Sequence, residues 1–133
     1  MKTIYILLIS CMLSSPLIAQ SNTFNFSLSS DTLSIDNQII EQDVTFIKDG
    51  NSLKFIQQVG TSTIEKSFTI NSVEGDWDVE NTIGNLTFSI TYQTYNATFS
   101  LLGTSEGVHV ELLVNQPNQT IDNFIFKDCS INY

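Results

Sequence analysis

The chain has 133 residues, enough for one ordinary domain with a real core, and its 14 acidic residues outnumber five basic ones. The formal net charge is −9, and every basic residue is a lysine. A surface this acidic repels nucleic acid and anionic lipid, and it lacks the guanidinium groups that grip phosphates. We therefore expect no nucleic-acid partner.

Residues 1–19 have the layout of a secretory signal peptide. Lys2 precedes an apolar stretch from Ile4 to Leu13, and a polar end that contains a proline follows. The whole segment is too short to span a bilayer as a stable helix. We predict cleavage after Ala19 and a secreted protein, extracellular or periplasmic.

The sequence LISC, which ends at Cys11, supports an alternative, because it resembles the lipobox of bacterial lipoproteins. In that case Cys11 is lipidated and tethers the protein to the cell envelope. Under either interpretation we expect residues 20–133 to form a single all-β domain. No later apolar run has membrane-spanning length, so we expect no transmembrane segment in the mature chain.

Apolar and polar residues alternate with a period of two along most of this domain, which is typical of half-buried strands. Phe24, Phe26 and Leu28 alternate with polar residues at its start. Lys66 is an exception, because it falls on the apolar face of a later predicted strand. The pattern predicts strands throughout and no helix.

The first predicted hairpin turns at an Asp-Gly dipeptide, residues 49–50. This dipeptide suits a type I′ turn, which would pair Phe46 with Leu53 and Val44 with Phe55. All four side chains would then lie on one face.

Three strands between residues 85 and 114 are predicted to share another apolar face. A two-residue turn at 93–94 predicts the pairs Tyr92–Tyr95, Ile90–Ala97, Phe88–Phe99 and Leu86–Leu101. A four-residue loop at 103–106 then predicts the pairs Leu101–Val108, Phe99–Val110, Ala97–Leu112 and Tyr95–Val114. A slip of one residue would turn all of these side chains toward water.

The succession of hairpins predicts an all-β antiparallel meander of about eight to ten short strands, closing into a small barrel or a two-sheet sandwich. Barrel closure is favoured, because no long crossover connection is visible. The last strand is ambiguous, since either Phe124 and Phe126 or Ile121 and Ile125 face inward.

A run of alternating acids, Glu74, Asp76, Asp78 and Glu80, is the most conspicuous candidate for a metal or catalytic site. In a strand these carboxylates share one face and Trp77 lies on the other. Alternate side chains are then about 6.5–7 Å apart. That is too far for neighbours to clasp one calcium ion, whose ligands lie at about 2.3–2.6 Å. We interpret the acids as a solvated face; the alternative is a weak cation site.

Catalytic groups are scarce. His109 is the only histidine, Cys129 is the only cysteine after standard cleavage, and no Gly-x-Ser-x-Gly motif occurs. We expect a protein that is not an enzyme, with no catalytic residues and no cofactor. The enzymatic alternative would use His109 as a base for Cys129, or a pair from the acidic run.

The tripeptide Gly75-Asp76-Trp77 resembles the Gly-x-Trp motif of lipocalin-like barrels. In that family the motif lies on the first strand, whereas several predicted strands precede it here. The chain is therefore not assigned to that family. What the resemblance implies is a barrel that carries an apolar small molecule.

We expect a secreted or envelope-associated, non-catalytic β-domain whose interior is filled and whose outer surface binds a protein or glycan partner. In the alternative, the barrel carries an apolar small molecule. The candidate lining residues are then aromatic: Trp77, Phe88, Tyr92, Tyr95 and Phe99.

Overall fold

The computed structural model describes residues 24–133. Eight antiparallel strands follow one another in this range: β1 (Phe26–Ile35), β2 (Gln38–Asp49), β3 (Ser52–Val59), β4 (Ser62–Asp78), β5 (Ile83–Tyr92), β6 (Tyr95–Thr104), β7 (Gly107–Asn115) and β8 (Ile121–Asn132). Each strand pairs with the next, and β8 also pairs with β1, so the meander closes into a barrel. The predicted all-β meander is confirmed, and the barrel is selected over the sandwich.

The proposed signal peptide, residues 1–19, and Cys11 lie outside the described residues. Within residues 24–133, no helix is long and apolar enough to cross a membrane.

Side chains from all eight strands fill much of the barrel interior, because alternate residues of each strand point inward. The largest fully buried side chains are Phe46, Phe88, Phe99, Phe126, Leu28, Leu53, Leu86, Ile90, Leu101 and Val110. The ring of Phe46 lies edge-on to the rings of Phe99 and Phe126, with centroids 4.9 and 5.1 Å apart. Each such buried side chain contributes roughly 1.5–3 kcal/mol through the removal of apolar surface from water.

The two ends of the barrel differ. The turns at one end cover residues 36–37, 60–61 and 93–94 together with the loop 116–120, and the turns at the other end cover residues 50–51, 79–82 and 105–106. We call the first the open end and the second the closed end, because a cavity opens at the first and Trp77 covers the second. Trp77 is only 7% exposed.

At the closed end, Trp77 of β4 packs on the backbone of β6, and β5 lies between these two strands in the sheet. A Cβ atom at Gly103 of β6 would lie 2.6 Å from Cη2 of Trp77, so the indole ring needs a glycine there. The indole Nε1–H donates a 2.8 Å hydrogen bond to the hydroxyl of Tyr133. The Tyr133 ring in turn packs edge-on against Phe24, with centroids 5.6 Å apart.

The predicted register of β5 and β6 is confirmed in all four pairs, from Tyr92–Tyr95 to Leu86–Leu101. The register predicted for β6 and β7 is wrong by two residues, since Leu101 pairs with Val110. The turn is shorter than predicted, because residues 103–104 continue β6. An even shift keeps the same side chains on the inward face.

The predicted register of β2 and β3 is also wrong by two residues, since Phe46 pairs with Phe55. The turn lies at residues 50–51, one position later than predicted. The Asn25 side chain supports this position, because its Oδ1 accepts a 3.0 Å hydrogen bond from the Gly50 backbone N–H. Lys48 lies two residues after Phe46 and therefore also faces inward, where it is paired with Phe26 on one side and Leu53 on the other.

In β8, Phe126 is buried and Phe124 packs against the core, whereas Ile121 is 62% exposed. The structure thus selects the alternative in which Phe124 and Phe126 face inward.

Candidate functional site

The open end of the barrel holds a cavity of about 550 Å³. Its floor is apolar and is formed by Leu33, Phe55, Phe68, Leu112, Phe124 and Phe126, which come from five different strands. All six face inward, and each of them either belongs to the hydrophobic core or packs against it.

The cavity exists because the hairpins at the open end have unequal lengths. Pairing between β4 and β5 ends at Thr69 and Thr91, whereas pairing between β3 and β4 continues to Val59 and Ser62. The β3–β4 hairpin therefore extends past the β5–β6 turn. One wall of the open end is therefore taller than the other, and the space beside the taller wall is left unfilled.

Tyrosines from β5 and β6 form part of the mouth. Tyr92 and Tyr95 are a directly opposed pair, both half-buried, and both line the cavity. The Tyr92 ring packs against Phe68 of the floor, with centroids 5.6 Å apart. Gln93 donates a 3.4 Å hydrogen bond from Nε2 to the Tyr92 hydroxyl. This arrangement gives the mouth aromatic surface with polar tips.

In the part of the chain that the structure describes, two charged residues line the mouth, on opposite sides of the barrel. Lys66 of β4 places Nζ 5.8 Å from the ring centroid of Tyr92, within cation–π range. Asp122 of β8 accepts a 2.6 Å hydrogen bond from Nε2 of Gln116. Because β4 and β8 are separated by three strands in either direction, the positive and the negative side chain face each other across the opening.

The five aromatic residues proposed as lining from the sequence separate into three groups. Tyr92 and Tyr95 line the cavity. Phe88 and Phe99 are 1% and 0% exposed and belong to the packed core below it. Trp77 lies at the closed end, far from the cavity along β4.

Lys66, Asp122 and the phenylalanines of the floor are not among the site residues predicted from the sequence. A signal was available for Lys66, since a lysine on an apolar strand face has to reach either solvent or a cavity. No comparable signal marks Asp122, because its neighbours at the mouth come from strands that are distant in sequence.

The run of acidic residues lies along the outer surface of β4 and the turn that follows. Glu74, Asp76, Asp78 and Glu80 are all exposed. The Asn81 side-chain amide donates a 2.7 Å hydrogen bond to Oδ2 of Asp78, and its backbone N–H bonds Oδ1 at 3.1 Å, which together lower the pKa of Asp78. Across the described part of the chain, no group of three or more His, Cys, Asp or Glu side chains is arranged to hold a metal ion.

His109 and Cys129 lie on different faces of the barrel wall. Val108 and Cys129 are paired and turn toward the core, whereas His109, one residue further along β7, points outward. The Cys129 thiol donates a 3.4 Å hydrogen bond to the carbonyl oxygen of Phe126. Burial raises the pKa of this thiol to about 11, and the thiolate is the reactive form of cysteine.

The topology and the cavity together define an eight-stranded up-and-down β-barrel that is closed at one end and open at the other. No family model, curated protein or solved structure matches this chain.

Proposed function

We propose that this protein is a non-catalytic binding protein that holds a small, largely apolar molecule in the open end of its barrel. The observation that supports this proposal is the cavity of about 550 Å³, with an apolar floor and a few polar groups at its mouth. Small-molecule sites have volumes of roughly 300–1,000 Å³ and this same distribution of apolar and polar groups.

The energetics of such a site favour an apolar ligand. The floor presents four phenylalanine and two leucine side chains, and removal of apolar surface from water contributes roughly 25 cal/mol per Å². Because the walls are paired strands, the cavity is present before the ligand binds, and little conformational entropy is lost on binding. Glutamines at the mouth, including Gln57 and Gln116, can orient a polar end of the ligand.

The proposal is tested with N-phenyl-1-naphthylamine, a neutral probe whose fluorescence rises in apolar surroundings. We expect saturable enhancement in the wild-type protein. A Val114→Trp variant places an indole in the cavity and should abolish the enhancement. The matched control is Val79→Trp, which makes the same change at an exposed position, 40% accessible, beside the closed end; it should bind the probe normally.

Equal probe binding by both tryptophan variants would overturn the proposal, because the probe would then sit elsewhere. The absence of any saturable binding by the wild-type protein would overturn it as well. Contact of the outer surface with a protein or glycan partner stays a prediction from the sequence.

A further inference from the structure

Among residues 24–133, Lys66 is the one basic side chain that lines the cavity. It pairs with Phe55 of β3, and both face inward. The preceding residue, Glu65, faces outward, and its Oε2 lies 3.9 Å from Nζ of Lys54. This is the single ion pair within residues 24–133, so the Lys66 ammonium has no carboxylate partner within 4 Å there.

Further hydrogen-bond donors lie on the same side of the mouth. The Tyr92 hydroxyl accepts a hydrogen bond from Gln93, so its own proton remains available for donation. The ring below that hydroxyl is the one that Lys66 approaches. Gln57 faces inward from the adjacent strand and also lines the cavity, which adds an amide group beside the lysine. An anionic group at this position would meet several donors and one positive charge.

The opposite side of the mouth carries the reverse charge. Asp122 projects from β8, with one carboxylate oxygen bonded to Gln116. An anionic group is repelled from that side and attracted to the side of Lys66. One lysine facing one aspartate suits a head with a single negative charge. A doubly charged phosphate is typically gripped by bidentate arginine or by several cations, and this chain contains no arginine.

The geometry points to a long-chain carboxylate as the ligand, with its head beside Lys66 and its hydrocarbon chain on the phenylalanine floor. This inference rests on the proposed function, since it specifies the ligand of the same cavity. The whole protein has a net charge of −9, and its long-range field acts against an anion. A preference for a carboxylate therefore has to come from local contacts at the mouth.

Three ligands that share a twelve-carbon chain test the head group at pH 7: dodecanoate, dodecanol and dodecyltrimethylammonium. Each is titrated against the bound neutral probe. We expect dodecanoate to bind about tenfold more tightly than dodecanol, as expected for one charge-assisted hydrogen bond. Lys66→Met should bring the ratio of the dodecanoate and dodecanol affinities close to one. Lys54→Met, which makes the same charge change on the outer surface, should leave all three affinities unchanged.

Equal affinities of the wild-type protein for dodecanoate and dodecanol would overturn this inference and leave the proposed function intact. A preference for dodecyltrimethylammonium would also overturn it and would identify Asp122 as the anchor. A dodecanoate preference that survives Lys66→Met would exclude Lys66 as its source. Failure of all three ligands to displace the probe, or failure of the probe itself to bind, would instead count against the proposed function.

Discussion

The indole N–H of Trp77 and the hydroxyl of Tyr133 are 56 positions apart in sequence and form a 2.8 Å hydrogen bond at the closed end of the barrel. Trp77 is the second-last residue of β4, next to the turn between β4 and β5, and Tyr133 directly follows β8. The bond therefore connects the end of β4 with the residue that follows β8, on the opposite side of the barrel. It also satisfies the only polar atom of an indole that is otherwise packed among apolar groups.

Replacement of Tyr133 by phenylalanine should lower the free energy of unfolding by about 1 kcal/mol, because it leaves the indole N–H of Trp77 without its partner. Urea denaturation followed by tryptophan fluorescence measures this, since Trp77 is the only tryptophan. The control is Tyr95→Phe, which removes a hydroxyl at the mouth of the open end. Equal destabilisation by Tyr133→Phe and Tyr95→Phe would contradict this prediction, because the hydrogen bond to Trp77 would then contribute no more to stability than a hydroxyl at the mouth.

Substitution of Gly103 by alanine should be far more damaging than substitution of Gly50. A methyl group at position 103 would collide with the Trp77 ring and with the backbone oxygen of Thr82, and we expect a loss of about 3 kcal/mol. At Gly50 a methyl group meets nothing within 4 Å, so only its φ of +55° is unfavourable, at a cost of about 1 kcal/mol. Comparable losses in thermal or urea denaturation would contradict the packing of Trp77 on Gly103.

Gly103 also shows why the sequence predicted strand faces better than turns. A glycine beside Thr104 and Ser105 has the composition of a loop, but here it is a strand residue because the Trp77 ring covers it. That contact joins strands whose proximity no local pattern reveals. Both register errors, at β2–β3 and at β6–β7, were shifts of two residues, so the side chains predicted to face inward on these strands do face inward.

Lys48 leads to a prediction about stability, because it is 3% exposed among apolar neighbours of the core. Burial lowers the pKa of its ammonium, an effect that Asp49 opposes in part. Lys48→Met keeps the length of the side chain and removes the buried charge, so the free energy of unfolding should rise by roughly 1 kcal/mol at pH 7. Lys54→Met makes the same charge change at an exposed position and should alter the free energy of unfolding by less than half as much as Lys48→Met does.

The gain from Lys48→Met should depend on pH. Because the pKa of Lys48 is lower in the folded state than its usual 10.5, the unfolded chain binds more protons between those two values. The stability of the wild-type protein relative to the variant therefore rises with pH across this alkaline window. The free energies of unfolding of the two proteins should therefore converge toward pH 10.5. A difference between them that stays constant from pH 7 to pH 10.5 would contradict the lowered pKa of Lys48.

The cavity could be predicted from the sequence only in part. The facing pair Tyr92 and Tyr95 follows from a local turn, and both residues lie at the mouth. The floor joins Leu33 of β1 to Phe126 of β8, a pair that meets only through barrel closure. Pairs so distant in sequence have no local signal. The difference in hairpin length that leaves the space empty depends on where several pairings end at once.

Cys129 provides a prediction about the folded barrel wall itself. Burial raises the pKa of its thiol to about 11 from an ordinary value of 9.0, so iodoacetamide labelling of the native protein should increase about tenfold per pH unit up to pH 11. In urea the rate should level off near pH 9. A Cys11→Ser background leaves Cys129 as the only thiol of the full chain. A native labelling rate that levels off near pH 9 would contradict the buried position.

Because the pKa of the Cys129 thiol is higher in the folded than in the unfolded state, this thiol contributes stability that is complete below pH 9 and is lost as the pH rises through about 11. Cys129→Ala should therefore reduce the alkaline loss of stability, measured by urea denaturation between pH 8 and pH 11.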